Sequence, residues 1–343
     1  MVLVALFLVG AGWPGLGAQA PVAVQTQASE AGTGFVAVTA AIDDLLGRWV
    51  FDPALLHTEA YRAMQERVRD LAGRVSTREE FVAQFNAAWR EGPFSHVQAQ
   101  VMRANAEQTA TYLDTMRVGG KGARLAWRGD VAVLTVDTMM GTDTIEQIDA
   151  AFDELAGRRS RGLVVDLRAN EGGAFAGVAL VGHLIDAPFD AGAFVSQRWA
   201  STMQRPPLRA DVSEVSPWTG WALTAFWRDV LAARLTPIQF QPKSPRYDGP
   251  VVLLVSSKTA SAAEMTADAI RGAGRASIVG ERTAGRMLSQ KIYDLPQGLQ
   301  LLLPIADYYS WSSGRIEGRG VMPDWNVPAA SALEEAERRL AVQ

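Results

Sequence analysis

The stretch GPVVLLVSSKTASAAEMTADAIRGAGRASIVGERTAG, residues 249–285, decides the fold. Its apolar run Val251–Val255 reads as a buried strand. A polar break follows, and Ala262, Ala263, Met265, Ala267 and Ile270 then keep the spacing of a helix ending near Gly272. Ser261 therefore stands where a strand feeds a helix start, beside free backbone N–H groups and the positive end of the helix dipole. A hydroxyl in that place suits a nucleophile whose attack creates an oxyanion. The same Ser261-Ala262-Ala263-Glu264 also fits a capping box, in which the serine only satisfies helix N–H groups.

Outward from this stretch, strand and helix signals alternate. Val131–Val136 and Gly162–Leu167 read as strands, with an amphipathic helix over Thr144–Leu155 between them. A helix over Ala176–Ile185 follows Gly172-Gly173, and Ala276–Gly280 and Leu299–Leu303 add strands. The chain closes on a helix at about residues 330–341. Such alternation predicts an α/β unit over 120–343, a sheet covered by helices. Residues 34–115 read as a separate helical N-terminal domain. Val36, Ile42, Leu45 and Leu46 keep helical spacing, and Thr77-Arg78-Glu79-Glu80 forms a capping box ahead of Phe81, Phe85 and Trp89. Within the α/β unit, residues 200–248 carry six prolines with Trp218, Trp221, Phe226 and Trp227 among them. They read as an insertion over the sheet, its aromatics either a small core of its own or a lid on a substrate cleft.

The 343 residues carry a formal net charge of −4 and no Lys/Arg block, so no nucleic-acid partner is expected. With no cysteine, disulfides, thiolate metal sites and cysteine nucleophiles are excluded. The three histidines, His57, His96 and His183, show no metal-ligand spacing. At the amino terminus, apolar Val2–Val9 and Ala18-Gln19-Ala20 resemble a signal peptide over 1–20, with a flexible linker over 21–33. An exported protein, periplasmic or extracellular, is expected, with no stable membrane span once the signal is removed. The stretch lacks the basic residues that usually open such a signal, since the first is Arg48.

Chemistry concentrates at a few places. The strand ending in Asp166-Leu167-Arg168 runs into Ala169-Asn170-Glu171-Gly172-Gly173, where two glycines permit conformations that turn N–H groups into a cleft. A phosphate cradle is the rival reading, but no Gly-Lys-Ser/Thr follows. Taken whole, Asp166–Gly173 resembles the D-L-R-x-N-x-G-G motif of the tail-specific, or C-terminal processing, serine peptidases, a family that includes the tricorn core. Thr259–Glu264 resembles that family's nucleophile motif, Gly280-Glu281-Arg282-Thr283-Ala284-Gly285 its G-E-x-T-x-G, and Gly320-Val321-Met322-Pro323-Asp324 its closing G-x-x-P-D. The resemblance implies a ClpP/crotonase-like α/β core. It implies a serine peptidase that cleaves peptides or unfolded proteins without a metal or organic cofactor.

Two departures stand out. Arg286 occupies the position where processing relatives carry a lysine base, and a guanidinium stays protonated. Residues 97–131 are too few for the PDZ domain that many relatives carry. The tricorn-like branch instead uses a histidine preceded by serine, with a late glutamate. The resemblance then implies Ser261 as nucleophile, His96 as general base and later acid, and Ser95 and Glu317 as supporting groups. Gly172 or Gly173, with Ala262, would supply oxyanion N–H groups. The plainer alternatives are a helix-capping Ser95, a structural His96 and a surface Glu317. Rival functions are a ligand- or peptide-binding module on the same fold and an esterase-like acyl hydrolase.

Overall fold

The computed structural model describes residues 33–342. The expected signal peptide, 1–20, and the linker up to residue 32 lie outside the described residues.

Helices α1 (Thr33–Trp49), α2 (Glu59–Ala72) and α3 (Arg78–Trp89) come first. The Thr77 hydroxyl accepts the Glu80 N–H at 3.2 Å to start α3, while the Glu80 carboxylate reaches past Thr77 to the Ser76 N–H. Strand β1 (Gln98–Val101) and helix α4 (Ala106–Thr115) follow, so the segment read as helical to residue 115 in fact enters a sheet. Next come β2 (Ala123–Arg128), β3 (Val131–Val136), α5 (Thr142–Gly157), β4 (Gly162–Asp166) and α6 (Gly177–Gly182). The middle of the chain holds β5 (Phe189–Ser196), α7 (Gln197–Met203), α8 (Leu223–Ala232) and β6 (Leu235–Phe240). The remainder is β7 (Val251–Val255), α9 (Ala262–Gly272), β8 (Ser277–Gly280), β9 (Leu288–Leu295), β10 (Leu299–Ser310), β11 (Gly314–Arg315), β12 (Trp325–Asn326) and α10 (Ala332–Leu340).

Two six-stranded sheets result. One has the order β12-β8-β7-β4-β3-β2, parallel except for β2, which pairs β3 antiparallel. The alternation of its strands assigns each residue a layer. Val251, Leu253 and Val255 face the main core, while Val252 and Leu254 face the layer closed by Ala332, Ala336 and Leu340 of α10. Both faces are covered, so all five residues of β7 are buried and read as an unbroken apolar run.

The second sheet is antiparallel and forms around β10, the longest strand. β10 pairs β9 through most of its length, β1 at Leu299–Leu302 and β5 at Ala306–Ser310. β6 adds to β5. Residues 200–248 thus supply a sheet strand, β6, and are part of the fold. The aromatics of this segment do not form a core of their own: Phe226 and Trp227 belong to the main core and Trp218 packs against it. Trp218 and Phe226 pack on Phe175, with ring centroids 4.5 and 5.0 Å away, whereas Phe226 and Trp227 also line the large cavity described below.

Candidate active site

The parallel sheet delivers two loops from the C-terminal ends of neighbouring strands, where open α/β sheets place their ligands. The loop after β4 carries Asn170, Gly172 and Gly173, and the loop after β7 carries Ser261. Polar side chains fasten them together. Buried Asn170 donates its side-chain amide to the Val136 carbonyl at 2.9 Å, and its backbone carbonyl accepts the Ala260 N–H at 3.1 Å. The Thr259 hydroxyl donates to the Leu167 carbonyl at 2.8 Å. Gly172, at φ 91°, leaves no room for a side chain, because a Cβ there would meet Ser261 Cβ at 2.7 Å. Its glycine is therefore required both by backbone conformation and by close approach.

Ser261 adopts φ 56°, ψ −125°, which is costly for a residue with a Cβ. Its hydroxyl makes no capping hydrogen bond to α9; the Glu264 N–H donates to the Ser261 carbonyl instead, at 2.8 Å. The capping-box reading therefore fails for the half that would occupy the hydroxyl. The other half is present: the Ser261 N–H donates to Glu264 Oε2 at 2.9 Å. Glu264 is fully buried and accepts from three further groups, the Thr283 hydroxyl, the Gly285 N–H and the Arg286 N–H. Burial pushes this carboxyl upward, opposed by the four donors. Glu264 thus ties the Ser261 loop to residues 283–286, holding the strained serine in place.

Ser95 and His96 arrive from the front of the chain. Along α3 the rings of Phe81, Phe85 and Trp89 stack at helical spacing, 5.7 and 5.5 Å apart, and Trp89 meets Phe94 edge-on at 5.7 Å. The Trp89 indole N–H donates to the Phe94 carbonyl at 3.3 Å, fixing the turn that ends in Ser95-His96. His96 has φ 63°. It and Ser261 are two of only four non-glycine residues with positive φ among the described residues. Ser95 Oγ lies 2.6 Å from His96 Nδ1. Burial, and then the positive charge of Arg286, push the imidazole down to about 4.

A single cavity of about 1280 Å³ is lined by every one of the expected site residues: Ser95, His96, Gly172, Gly173, Ser261, Ala262 and Glu317. Not all the expected bonds are made. No hydrogen bond joins Ser261 to His96, or Glu317 to Ser95, among the described residues. Glu317 Oε2 accepts the Met287 N–H at 2.6 Å, and Oε1 accepts no hydrogen bond among the described residues. Of the expected oxyanion donors, Gly172 is committed elsewhere, since its N–H donates to Asn170 Oδ1 at 2.8 Å. The amides of Gly173 and Ala262 have no acceptor among the described residues. Neither remaining histidine lines this cavity. His183 is buried, with Nε2 2.9 Å from Asp149 and Nδ1 2.6 Å from the Pro245 carbonyl. The residues that the sequence reading did not credit are Asn170, Thr259, Thr283 and, in its full role, Glu264. No group of His, Cys, Asp and Glu among the described residues has the geometry to hold a metal ion.

A carboxyl-terminal-processing protease of Picosynechococcus sp. is 42% identical over 84 residues, 24% of this chain and 20% of that protein. The chloroplastic C-terminal processing peptidase of Tetradesmus obliquus is 30% identical over 184 residues, 53% of this chain and 32% of that protein. The chain thus matches a third or less of the length of these curated relatives. Among solved structures, a putative peptidase from Parabacteroides merdae superposes with a TM-score of 0.59 at 14% identity, covering 91% of this chain and 97% of that one. The photosystem II D1 C-terminal processing protease gives 0.51 at 17% identity, covering 89% and 97%. The tricorn protease gives 0.56 at 13% identity, covering 92% of this chain and 37% of that one. These likenesses show the fold, a ClpP/crotonase-like α/β core as expected. Residues 130–327 match peptidase family S41, which is more than half of the chain, and the chain belongs to that family.

Proposed function

We propose that the protein is a serine peptidase that cleaves peptide or unfolded-protein substrates through an acyl-enzyme, with Ser261 as nucleophile and His96 as base. The observation that carries this reading is that the two residues, from distant parts of the chain, both hold strained left-handed backbones on the wall of one cavity. Strain of this kind persists only where the surroundings over-determine it, and it concentrates at working sites.

The chemistry follows from the hydrogen bonds. For His96 Nε2 to take the Ser261 proton, Nδ1 must carry the ring's own proton and donate it to Ser95 Oγ. The Ser95 hydroxyl proton then needs an acceptor, and the free Glu317 Oε1 in the same cavity is suited to that role. Ser261 Oγ attacks the scissile carbonyl, and the developing oxyanion takes the unspent N–H groups of Gly173 and Ala262. His96, now protonated, gives its proton to the leaving amine, and water then repeats the sequence on the acyl-enzyme. Closing the Ser261–His96 gap on substrate binding is in keeping with the looser catalytic contacts of unliganded sites. A location outside the cytoplasm rests on the leader-like sequence of residues 1–20 alone.

The test is a fluorophosphonate probe together with a peptide-hydrolysis assay. Labelling of the wild type at Ser261, its loss in Ser261→Ala, and hydrolysis of unfolded protein by the wild type only are the expected results. An unlabelled Ser261 in a folded protein overturns the reading in favour of a binding module.

A further inference from the structure

Arg286 is held beside the nucleophile by the oxygen that holds the nucleophile itself. Glu264 Oε2 accepts the Ser261 N–H and the Arg286 N–H, each at 2.9 Å. The Arg286 side chain lines the catalytic cavity, yet its guanidinium forms no ion pair and no side-chain hydrogen bond among the described residues. Two other charged groups of the neighbouring loops are committed, whereas Lys258, which also acts on Glu171, and Arg90, which also lines the cavity, form no ion pair among the described residues. Arg168, on the neighbouring loop, is taken by Asp166 at 2.7 Å and by the Ala329 carbonyl at 2.6 Å. Glu317 spends one oxygen on Met287. Glu171 feels Arg286 electrostatically without bonding to it, and burial makes its own charged form less favourable.

A protonated guanidinium cannot serve as a base, so its place next to Ser261 calls for another account. It presents a planar fork of donors matched to two carboxylate oxygens. Arg286 is exposed to solvent at a cavity whose wall includes the apolar Phe94, Met140, Phe175, Met265 and Met287. In a peptide the only groups of that chemistry are the terminal carboxylate and the side chains of Asp and Glu.

We propose that Arg286 binds a substrate carboxylate close to the scissile bond, so that the enzyme selects peptides bearing one there. This rests on the peptidase reading and adds a specificity to it. The carboxylate comes either from the chain terminus or from an acidic side chain.

Two synthetic peptide libraries of the same sequences, one with free and one with amidated carboxyl termini, distinguish the two sources when each is made with Asp/Glu or with Asn/Gln. Cleaved bonds are mapped by mass spectrometry for the wild type, Arg286→Gln and Arg286→Lys. A charged hydrogen-bonded pair corresponds to about a 10- to 100-fold preference in kcat/KM for the carboxylate form. That preference falls to about one in Arg286→Gln and survives in part in Arg286→Lys. A wild type without preference in either library, or a preference that persists in Arg286→Gln, overturns the inference. Affinity selection of the same libraries on Ser261→Ala protein separates it from the parent reading. Enrichment of carboxylate peptides that disappears in Ser261→Ala/Arg286→Gln supports carboxylate binding even where the wild type cleaves nothing. Selection without regard to charge overturns it even where the wild type cleaves well.

Discussion

Ser95 Oγ and His96 Nδ1 lie 2.6 Å apart, so the side chains of two consecutive residues bond to one another at the wall of the catalytic cavity. This contact sets the direction of the imidazole and, with the hydroxyl as acceptor, its tautomer. His96→Ala removes the proposed base and is expected to lower kcat by about 100- to 10,000-fold. Ser95→Ala keeps the base but frees its orientation, and a smaller loss, about 10-fold or more, is expected. Steady-state kinetics on one fluorogenic peptide rank the two. A Ser95→Ala enzyme slower than His96→Ala would mean that the serine does more than position its neighbour.

Glu264 connects three segments through four donated hydrogen bonds, from Ser261, Thr283, Gly285 and Arg286. Glu264→Gln preserves the shape but turns one acceptor oxygen into an NH2 group facing donors. Each buried donor left unsatisfied costs about 1–3 kcal/mol. The variant should unfold at lower urea and lose most activity, because the strained Ser261 backbone loses its tether. If it instead matches the wild type in both urea midpoint and turnover, the Glu264 clamp does not determine the serine's conformation.

The pH dependence of kcat/KM follows from His96. As the proposed base it must be neutral, and burial with the Arg286 charge holds its protonation down to about 4. Activity in the free enzyme therefore persists well below pH 6.5 and falls only as the pH drops through about 4. Arg286→Gln removes the nearby cation and should move this acid limb to higher pH, while burial keeps it below the ordinary histidine value. A wild-type limb near that ordinary value would show that the imidazole is solvated when it acts.

Much of this organisation was legible in the sequence because it is local. The run Val251–Val255 and the helix Ala262–Gly272 appear where apolar spacing put them. The glycines at 172 and 173 sit at positive φ as a cleft-forming turn requires. The strands that went unread are instructive. β5 contains Asp190 and Gly192 at a register shift, and β9 carries the consecutive polar residues Ser289, Gln290 and Lys291. Neither shows an unbroken apolar run: β5 finds its β10 partners far along the chain, and β9 pairs β10 across the short turn at Pro296–Gly298. The same holds for the site. Ser261 was visible from its strand–helix junction, whereas the tasks of Asn170 and Thr259 lie in partners that no local pattern names. Equally, Gly172 and Gly173 look alike as letters. Only the bond from the Gly172 N–H to Asn170 tells which amide is spent.

Behind Glu317 lies a second acid whose environment makes the fold itself sensitive to pH. Asp307 on β10 is buried, and its Oδ2 accepts from Arg315 at 2.6 Å, while Oδ1 has no hydrogen-bond partner among the described residues. Burial is the main cause that pushes this carboxyl up to about 6, with Arg315 opposing and the neighbouring Glu317 charge adding to the rise. The folded chain therefore holds the Asp307 proton more tightly than the unfolded chain does. Its contribution to stability is complete below the unfolded value, near 3.8, and is lost as the pH rises through about 6. A difference of that size corresponds to about 3 kcal/mol. Asp307→Asn cannot titrate and should lack this component, so urea-unfolding free energies of the two proteins, taken between pH 4 and 8, should converge or diverge by that amount across the interval. Parallel pH profiles would mean that Asp307 is ionised throughout and that its bond to Arg315 outweighs the cost of burying it.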